Sequence, residues 1–267
     1  MGQTPSLVHS VHGRKLSFPA RFLLRFCRAP EAADFPMSGV HYKVGHELDR
    51  LREVFPNISS QLAGKLVVDF GCAFGYQSVA FSRCGARHVV GIEIEEASLQ
   101  EARKLVMEQD LVEKVTFEKR IAKGLNADVI VSQNSFEHFL DATEILTELR
   151  KGLAPDGKIF VTFAPPWYAA WGSHMAYFCR LPWVQLFFSE RTVMEVRSLF
   201  RSDGARTYRD AGLAEMSLAK FERTVKESGL SFELKRYDCS RGLDWLQSTP
   251  LRELFVNRVS CIMVHPQ

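Results

Sequence analysis

Hydrophobic positions fall into two textures along most of this chain. From Lys65 onward, short β-branched runs alternate with longer stretches whose apolar residues recur at three- and four-residue spacing. The runs Val67–Phe70, His88–Ile94, Val115–Glu118, Asp128–Ser132 and Lys158–Ala164 predict strands. Between them, Tyr76–Arg83, Glu96–Asp110 and Glu137–Leu153 predict helices, and Ala154-Pro155-Asp156-Gly157 predicts a turn. Upstream, Val44, Leu48, Leu51 and Phe55 predict a helix over Tyr42–Phe55, whereas residues 1–40 are irregular and broken by Pro5, Pro19, Pro30 and Pro36.

Strands alternating with helices require crossover connections, and these build a parallel sheet covered on both faces. The alternation stops at Ala164. Residues 165–212 form an aromatic-rich insertion with three of the four tryptophans, Trp167, Trp171 and Trp183. A helix over Ser217–Ser228 and strands over Ser231–Asp238 and Leu254–Val264 then close the pattern. The last two strands lack a long helix between them and so predict an antiparallel edge. The expected fold is α/β: a Rossmann-like, mainly parallel sheet with helices on both faces, an antiparallel edge strand and a lid insertion. Ligands bind such sheets beyond the carboxyl ends of the strands, where the strand order reverses.

Composition narrows the class. The chain has 267 residues, 46% apolar and 24% charged, which excludes a disordered chain. A net charge of +3 gives no sign of a nucleic-acid partner. Residues 1–30 carry Arg14, Lys15, Arg21, Arg25 and Arg28 without an acid, so the remainder is slightly acidic. The six cysteines, Cys27, Cys72, Cys84, Cys179, Cys239 and Cys261, show no metal-binding spacing and read as reduced thiols of a cytoplasmic protein. No apolar run reaches the length of a membrane span. Met1-Gly2-Gln3-Thr4-Pro5-Ser6 fits a bare myristoylation pattern. The expectation is nevertheless that Phe18, Phe22, Leu23 and Phe26 pack over the sheet or help close the site rather than bind a membrane.

The most informative run is Val67-Val68-Asp69-Phe70-Gly71-Cys72-Ala73-Phe74-Gly75-Tyr76. A strand passes through a small-residue turn into a helix whose first N–H groups are unpaired. A dinucleotide fingerprint needs glycine at 71, 73 and 76, and the last two are Ala and Tyr. Asp69 suits a ligand with a cationic end. Glu93, closing the second strand, suits a ribose diol. A cationic nucleoside with a free diol is S-adenosylmethionine.

The segments VVDFGCAFG, GIEI, DVIVSQNSFEHF and LRKGLAPDGKIFVTF resemble the class I S-adenosylmethionine-dependent methyltransferases, over about Leu62–Ala164 and the closing elements. The resemblance implies a methyltransferase domain over 61–267, with 165–212 as its lid and 1–60 as an N-terminal extension and helix. It also implies a cofactor set of Asp69, Gly71, Cys72, Ala73, Gly75, Glu93 and Ile94, with Gln133 and Asn134 beside the sulfonium. Two departures stand out. Ala73 replaces a glycine, which is tolerable if its φ stays negative. Lys119-Arg120-Ile121-Ala122 lacks the usual acid, so adenine recognition falls to backbone groups near Ile121.

Methyl transfer to oxygen or nitrogen is a displacement that benefits from alignment and, for a protonated nucleophile, a base. His174 is the first candidate base, because an imidazole near its free pKa suits the task. Glu137 and His138 open the predicted helix after the fourth strand. Asn134-x-x-Glu137-His138 with His174 partly resembles a metal-binding arrangement of small-RNA 2′-O-methyltransferases, but Asn134 removes its first acid and no metal is expected. Trp167, Tyr168, Trp171 and Tyr177 are expected to cradle an aromatic or lipophilic small-molecule acceptor, methylated at oxygen. The rival readings are an RNA 2′-O-methyltransferase-like enzyme and a non-catalytic module of the same fold. The same lid aromatics could instead form a core of their own.

Overall fold

In the computed structural model, residues 15–28, 43–240 and 242–266 are described, so the Met1–Ser6 pattern, Pro30 and Pro36 lie outside them. Helix α1 (Phe18–Leu24) starts at Ser17, whose hydroxyl accepts from the Ala20 N–H. Helix α2 (His46–Val54) starts after Gly45, at φ +97°, and Tyr42 lies outside the described residues. Helix α3 (Ile58–Leu62) leads into strand β1 (Leu66–Phe70). Then come α4 (Tyr76–Arg83), β2 (His88–Ile92), α5 (Glu96–Glu108), β3 (Val115–Glu118) and β4 (Ala127–Gln133). These match the predicted elements within a residue or two.

The expected helix over Glu137–Leu153 is divided. Phe136–His138 form a short 3₁₀ turn, and α6 (Ala142–Gly152) begins only after Asp141, whose carboxylate accepts from the Glu144 N–H. Strand β5 (Leu153–Phe163) starts earlier than expected. The Ala154–Gly157 turn is a bulge inside it, because Ala127 pairs with Leu153 and Val129 already with Lys158. The lid carries α7 (Val184–Phe187) and α8 (Glu190–Arg197), and after it come α9 (Leu218–Glu227), β6 (Ser231–Cys239), α10 (Arg252–Phe255) and β7 (Val256–Val264).

The seven strands run in the order β3-β2-β1-β4-β5-β7-β6. All pairings are parallel except those of β7, which is antiparallel to both β5 and β6. The order reverses between β1 and β4, so the loops after Phe70 and Gln133 flank the crevice. One face of the sheet packs on α6 and α9 through Leu146, Leu149 and Phe221. The other packs on α2–α5 through Leu51, Ile58, Phe81 and Leu99. Within 43–62, α2 and α3 bury apolar residues in the sheet's own core.

A third core lies in the lid, and α1 belongs to it. Ala20 and Leu23 pack with Trp167, Phe178, Val193 and Phe200. Of the two expected placements, α1 does not take the one over the sheet: its buried face is short and finds its partner in α8 of the lid. Phe18, Phe22 and Phe26 remain largely exposed. Among the described residues, no helix is long and apolar enough to cross a membrane.

Candidate functional site

The turn after β1 is held by β2. The N–H groups of Gly71 and Cys72 donate to the Ile92 carbonyl at 2.9 and 3.0 Å, and Gly75 N–H donates to Cys72 O at 2.9 Å. Gly71 and Gly75 have φ of +81° and +77°, the left-handed region that glycine enters without strain. Neither site has room for a side chain. A Cβ at Gly71 would stand 2.6 Å from Ser135 Oγ, and one at Gly75 would stand 2.8 Å from the Phe117 ring. Ala73 also lies at φ +45°, which overturns the negative φ expected there. The loop path demands the left-handed conformation, and the alanine accepts it at a cost.

Glu93 is fixed by backbone donors. Its Oε2 accepts from Ala73 N–H at 3.2 Å, and its Oε1 from Ile94 and Glu95 N–H at 2.7 and 3.0 Å. Ile94 beside it leaves 82% of its surface exposed, an apolar face next to a carboxylate. Asp69 is buried under the loop and accepts 2.6 Å from Ser78 Oγ. Burial pushes its carboxyl up to about 7, the Ser78 bond working against this and the Glu93 charge adding to it. Burial likewise raises the Cys72 thiol, which makes it inert. Ile121 packs its side chain against Gly152 and the sheet core, so only its backbone is left for a ligand.

At the end of β4, Gln133 ties three elements together. Its Oε1 accepts from Gln77 Nε2 at 3.0 Å, and its Nε2 donates to Glu47 O and Oε2 at 3.2 and 3.1 Å. Helix α2 thus closes over the crevice through Glu47, a residue the sequence did not single out. Asn134 follows at φ +53° and donates its N–H to Thr162 O at 2.8 Å. Beside it opens a cavity of about 330 Å³ over the ends of β4 to β7. Arg50, Asn134, Thr162, Asp238, Asn257 and Arg258 line it. Arg258 Nε donates to Asp238 at 2.8 Å, as does Arg236 Nε.

The lid aromatics do not line this cavity, and of the readings left open Trp167 follows that of a lid core. Trp167 is buried against Tyr208, with ring centroids 4.7 Å apart, inside the lid's own core. Tyr168 and Tyr177 are exposed, and Trp171 is half-buried. The insertion first satisfies its own packing, and the strand ends supply the polar cavity.

Glu137, His138 and His174 converge at the seam between β4 and the lid. Glu137 is buried; the backbone N–H groups of Glu137 and Ala164 face its carboxylate, and Oε2 has no partner. Burial pushes this carboxyl up to about 7 against those two amides. Ala164 itself lines the cavity. His138 Nδ1 lies 2.8 Å from Gly212 O, so that nitrogen carries the proton and donates. The His138 and His174 rings meet edge to face at 5.5 Å. His174 Nε2 is buried without a partner, and desolvation, aided by His138, pushes the ring down to about 4. The imidazole expected near its free pKa is therefore neutral at physiological pH and a weak base, which leaves Glu137 better matched to neutral pH. Among the described residues, no three His, Cys, Asp or Glu side chains form a metal-holding group.

Comparison with known proteins places these features in context. A family profile described as a methyltransferase domain matches residues 40–231. The ubiquinone biosynthesis O-methyltransferase of Neisseria meningitidis is 29% identical over 132 residues, covering 45% of this chain and 52% of its own. Its namesake from Stutzerimonas stutzeri is 32% identical over 123 residues, covering 45% and 53%. The chain spans about half the length of the curated relatives it matches. The crystal structure of an S-adenosylmethionine-dependent methyltransferase from Mesorhizobium loti aligns with a TM-score of 0.53 and 17% identity, over 81% of this chain and 96% of that one.

Proposed function

Because the chain belongs to the class I S-adenosylmethionine-dependent methyltransferases, we propose that it binds that cofactor at the β1–α4 turn and methylates a small-molecule acceptor at oxygen. The observation that carries the reading is Glu93. Three backbone N–H groups orient its carboxylate across a loop with no room for side chains at Gly71 and Gly75. Three of its roughly four lone-pair sites are taken, and Oε2 keeps one to accept from a ribose hydroxyl. Ile94 offers an exposed apolar face for a purine, and Asp69 offers a carboxyl whose ionised form a nearby ammonium group stabilises. Cys72 and Ala73 shape the floor of the turn, and the backbone near Ile121 takes the adenine edge.

When bound, S-adenosylmethionine supplies a methyl group on a positively charged sulfur. The chain's own work is alignment, exclusion of water and removal of the acceptor's proton. Gln133 and Asn134 fix the end of β4 beside the crevice, and the cavity next to Asn134 receives the acceptor. The names of the curated relatives support oxygen as the methylated atom. Glu137, with a carboxyl poised near neutrality behind Ala164, takes the hydroxyl proton. The His138 ring meets His174 of the lid edge to face, and His174 stays uncharged. The arginine, aspartate and amide lining suits the polar end of the acceptor.

Calorimetric titration of S-adenosylmethionine and S-adenosylhomocysteine tests the reading. The wild-type chain should bind both, and Glu93→Ala should weaken both by about 10- to 100-fold, the scale of lost hydrogen bonds to a charged group. Binding of neither ligand by the wild type would remove the cofactor and the activity together.

A further inference from the structure

We propose that Cys27 and Cys179 form a thiol–disulfide exchange site, which takes a small disulfide such as oxidised glutathione and closes into a covalent staple between the N-terminal segment and the lid. The inference is independent of the methyl-transfer reading and rests on backbone geometry. The segment after α1 and the lid segment after Met175–Tyr177 meet in a single antiparallel bridge, Cys27 opposite Cys179. Arg28 N–H donates to Phe178 O at 2.7 Å, and Arg180 N–H donates to Phe26 O at 2.9 Å. Those bonds flank the two cysteines and put them at a non-hydrogen-bonded position, where opposed Cα atoms stand about 4.5 Å apart and side chains are closest. That separation falls inside the range of about 4.4–6.8 Å that a disulfide spans.

The Cys27 thiol donates to Leu23 O at 3.6 Å, and the Leu181 N–H donates to Cys179 Sγ at 3.4 Å. The neighbouring Cys27 and that amide pull the Cys179 thiol down, while Cys179 and burial push Cys27 up. Cys179 is therefore the sulfur of the pair that loses its proton first. Cys179 is buried, but Cys27 is only half-buried, so a small reagent reaches the pair from the α1 side. The remaining cysteines differ in kind. Cys72 and Cys261 are buried with raised thiols, and Cys261 faces Lys235 across the sheet.

The exchange balances without another reactant. The protein thiolate attacks one sulfur of the small disulfide, forming a mixed disulfide and expelling a thiolate. The second protein thiol gives its proton to that leaving group and attacks the protein sulfur of the mixed disulfide, expelling the second small thiolate. Two protein thiols are oxidised, and one small disulfide is reduced to two thiols. The product ties α1 to the core that carries Trp167, Phe178 and Val193.

The test is incubation of the full chain with oxidised glutathione at mildly alkaline pH, followed by thiol titration under denaturing conditions, peptide mass mapping and a thermal melt. Two of the six thiols should disappear, and a linked peptide should join Cys27 to Cys179. Tm should rise by roughly 5–10 °C, reversed by dithiothreitol, as expected for closing a long loop. Cys27→Ser should lose both the linked peptide and the Tm gain, whereas Cys84→Ser should keep them. Six titratable thiols after oxidation, or glutathione adducts without a 27–179 link, would overturn the proposal.

Discussion

The turn between β1 and α4 and the lid between β5 and α9 close over the same strand ends, yet they are built in opposite ways. The turn is local: its bonds run to the neighbouring strand, and two of its left-handed positions are glycines. The lid is assembled from afar. Trp167 N–H donates to Met216 O at 2.7 Å, Ala214 N–H donates to Glu137 O at 2.9 Å, and α1 completes its core from more than 150 residues upstream. The turn places Gly71, Ala73 and Gly75 at positive φ, and the lid places the large side chains of His174 and Trp183 there beside Gly204 and Gly212. Side chains held in that region persist only when surrounding contacts over-determine them. The contrast separates a preorganised cofactor cradle from an acceptor side whose shape depends on the whole tertiary structure. The seam between them, at Glu137, is where chemistry is expected.

The largest expected effect breaks the two sides apart at that seam. Glu137→Gln should lower kcat by about 10²- to 10⁴-fold, the usual contribution of a positioned base, and leave S-adenosylmethionine affinity unchanged. In the wild type, turnover should rise with pH up to about 7 and then level, because the carboxyl must be ionised to accept a proton. Stability should move the other way. A carboxyl raised above its unfolded value of about 4.5 favours the folded state at low pH, and that contribution fades as pH rises through about 7. Glu137→Gln should therefore flatten the melting-temperature profile between those limits. An unchanged kcat in the variant would remove Glu137 from the chemistry and leave the seam a packing feature.

A second substitution isolates the lid. A Cβ at Gly172 would stand 1.9 Å from Trp167 O and 2.7 Å from Pro166 O, backbone atoms that cannot rotate away. Gly172→Ala should therefore destabilise the chain by about 2–4 kcal/mol, as steric insertion into a packed region does. It should abolish turnover while calorimetry still detects the cofactor. Equal loss of cofactor binding would show that the cradle leans on the lid and that the two regions are one unit.

The same contrast explains what the sequence disclosed. Tyr76–Arg83 and Val115–Glu118 were legible to the residue because buried strands and amphipathic helices write their period locally. The place of Glu93 just beyond β2 was legible because the strand's apolar run ends there, and its ribose contact belongs to the proposal. The division of the predicted 137–153 helix had a signal that the apolar period masked: Asp141 and Glu144 carry the acid-x-x-acid signature of a helix start. No local signal marked Glu47, Gln77, Arg50 or Arg258, whose roles arise only where α2, α4 and β7 meet the end of β4. Nor could spacing show that Trp167 turns inward or that α1 joins the lid. The shift of His174 to a weak base is a burial effect, visible only once the seam is assembled.

The smallest effect concerns Ala73, the one place where the cradle departs from its own rule. A non-glycine residue in the left-handed region costs roughly 1–2 kcal/mol, and glycine in its place recovers that strain. Against the gain stands the greater freedom of glycine in the unfolded chain, about 0.4–1 kcal/mol. Ala73→Gly should thus stabilise the chain by about 0.5–1 kcal/mol and raise Tm by roughly 1–4 °C. The Ala73 N–H that holds Glu93 is a backbone group and survives the change, so cofactor affinity should move by less than about threefold, within 1 kcal/mol. A fall in Tm would mean that the alanine methyl packs well enough to offset its strain. The cradle would then rely on side-chain contacts as the lid does, and the contrast between local and distant construction would fail at its most local point.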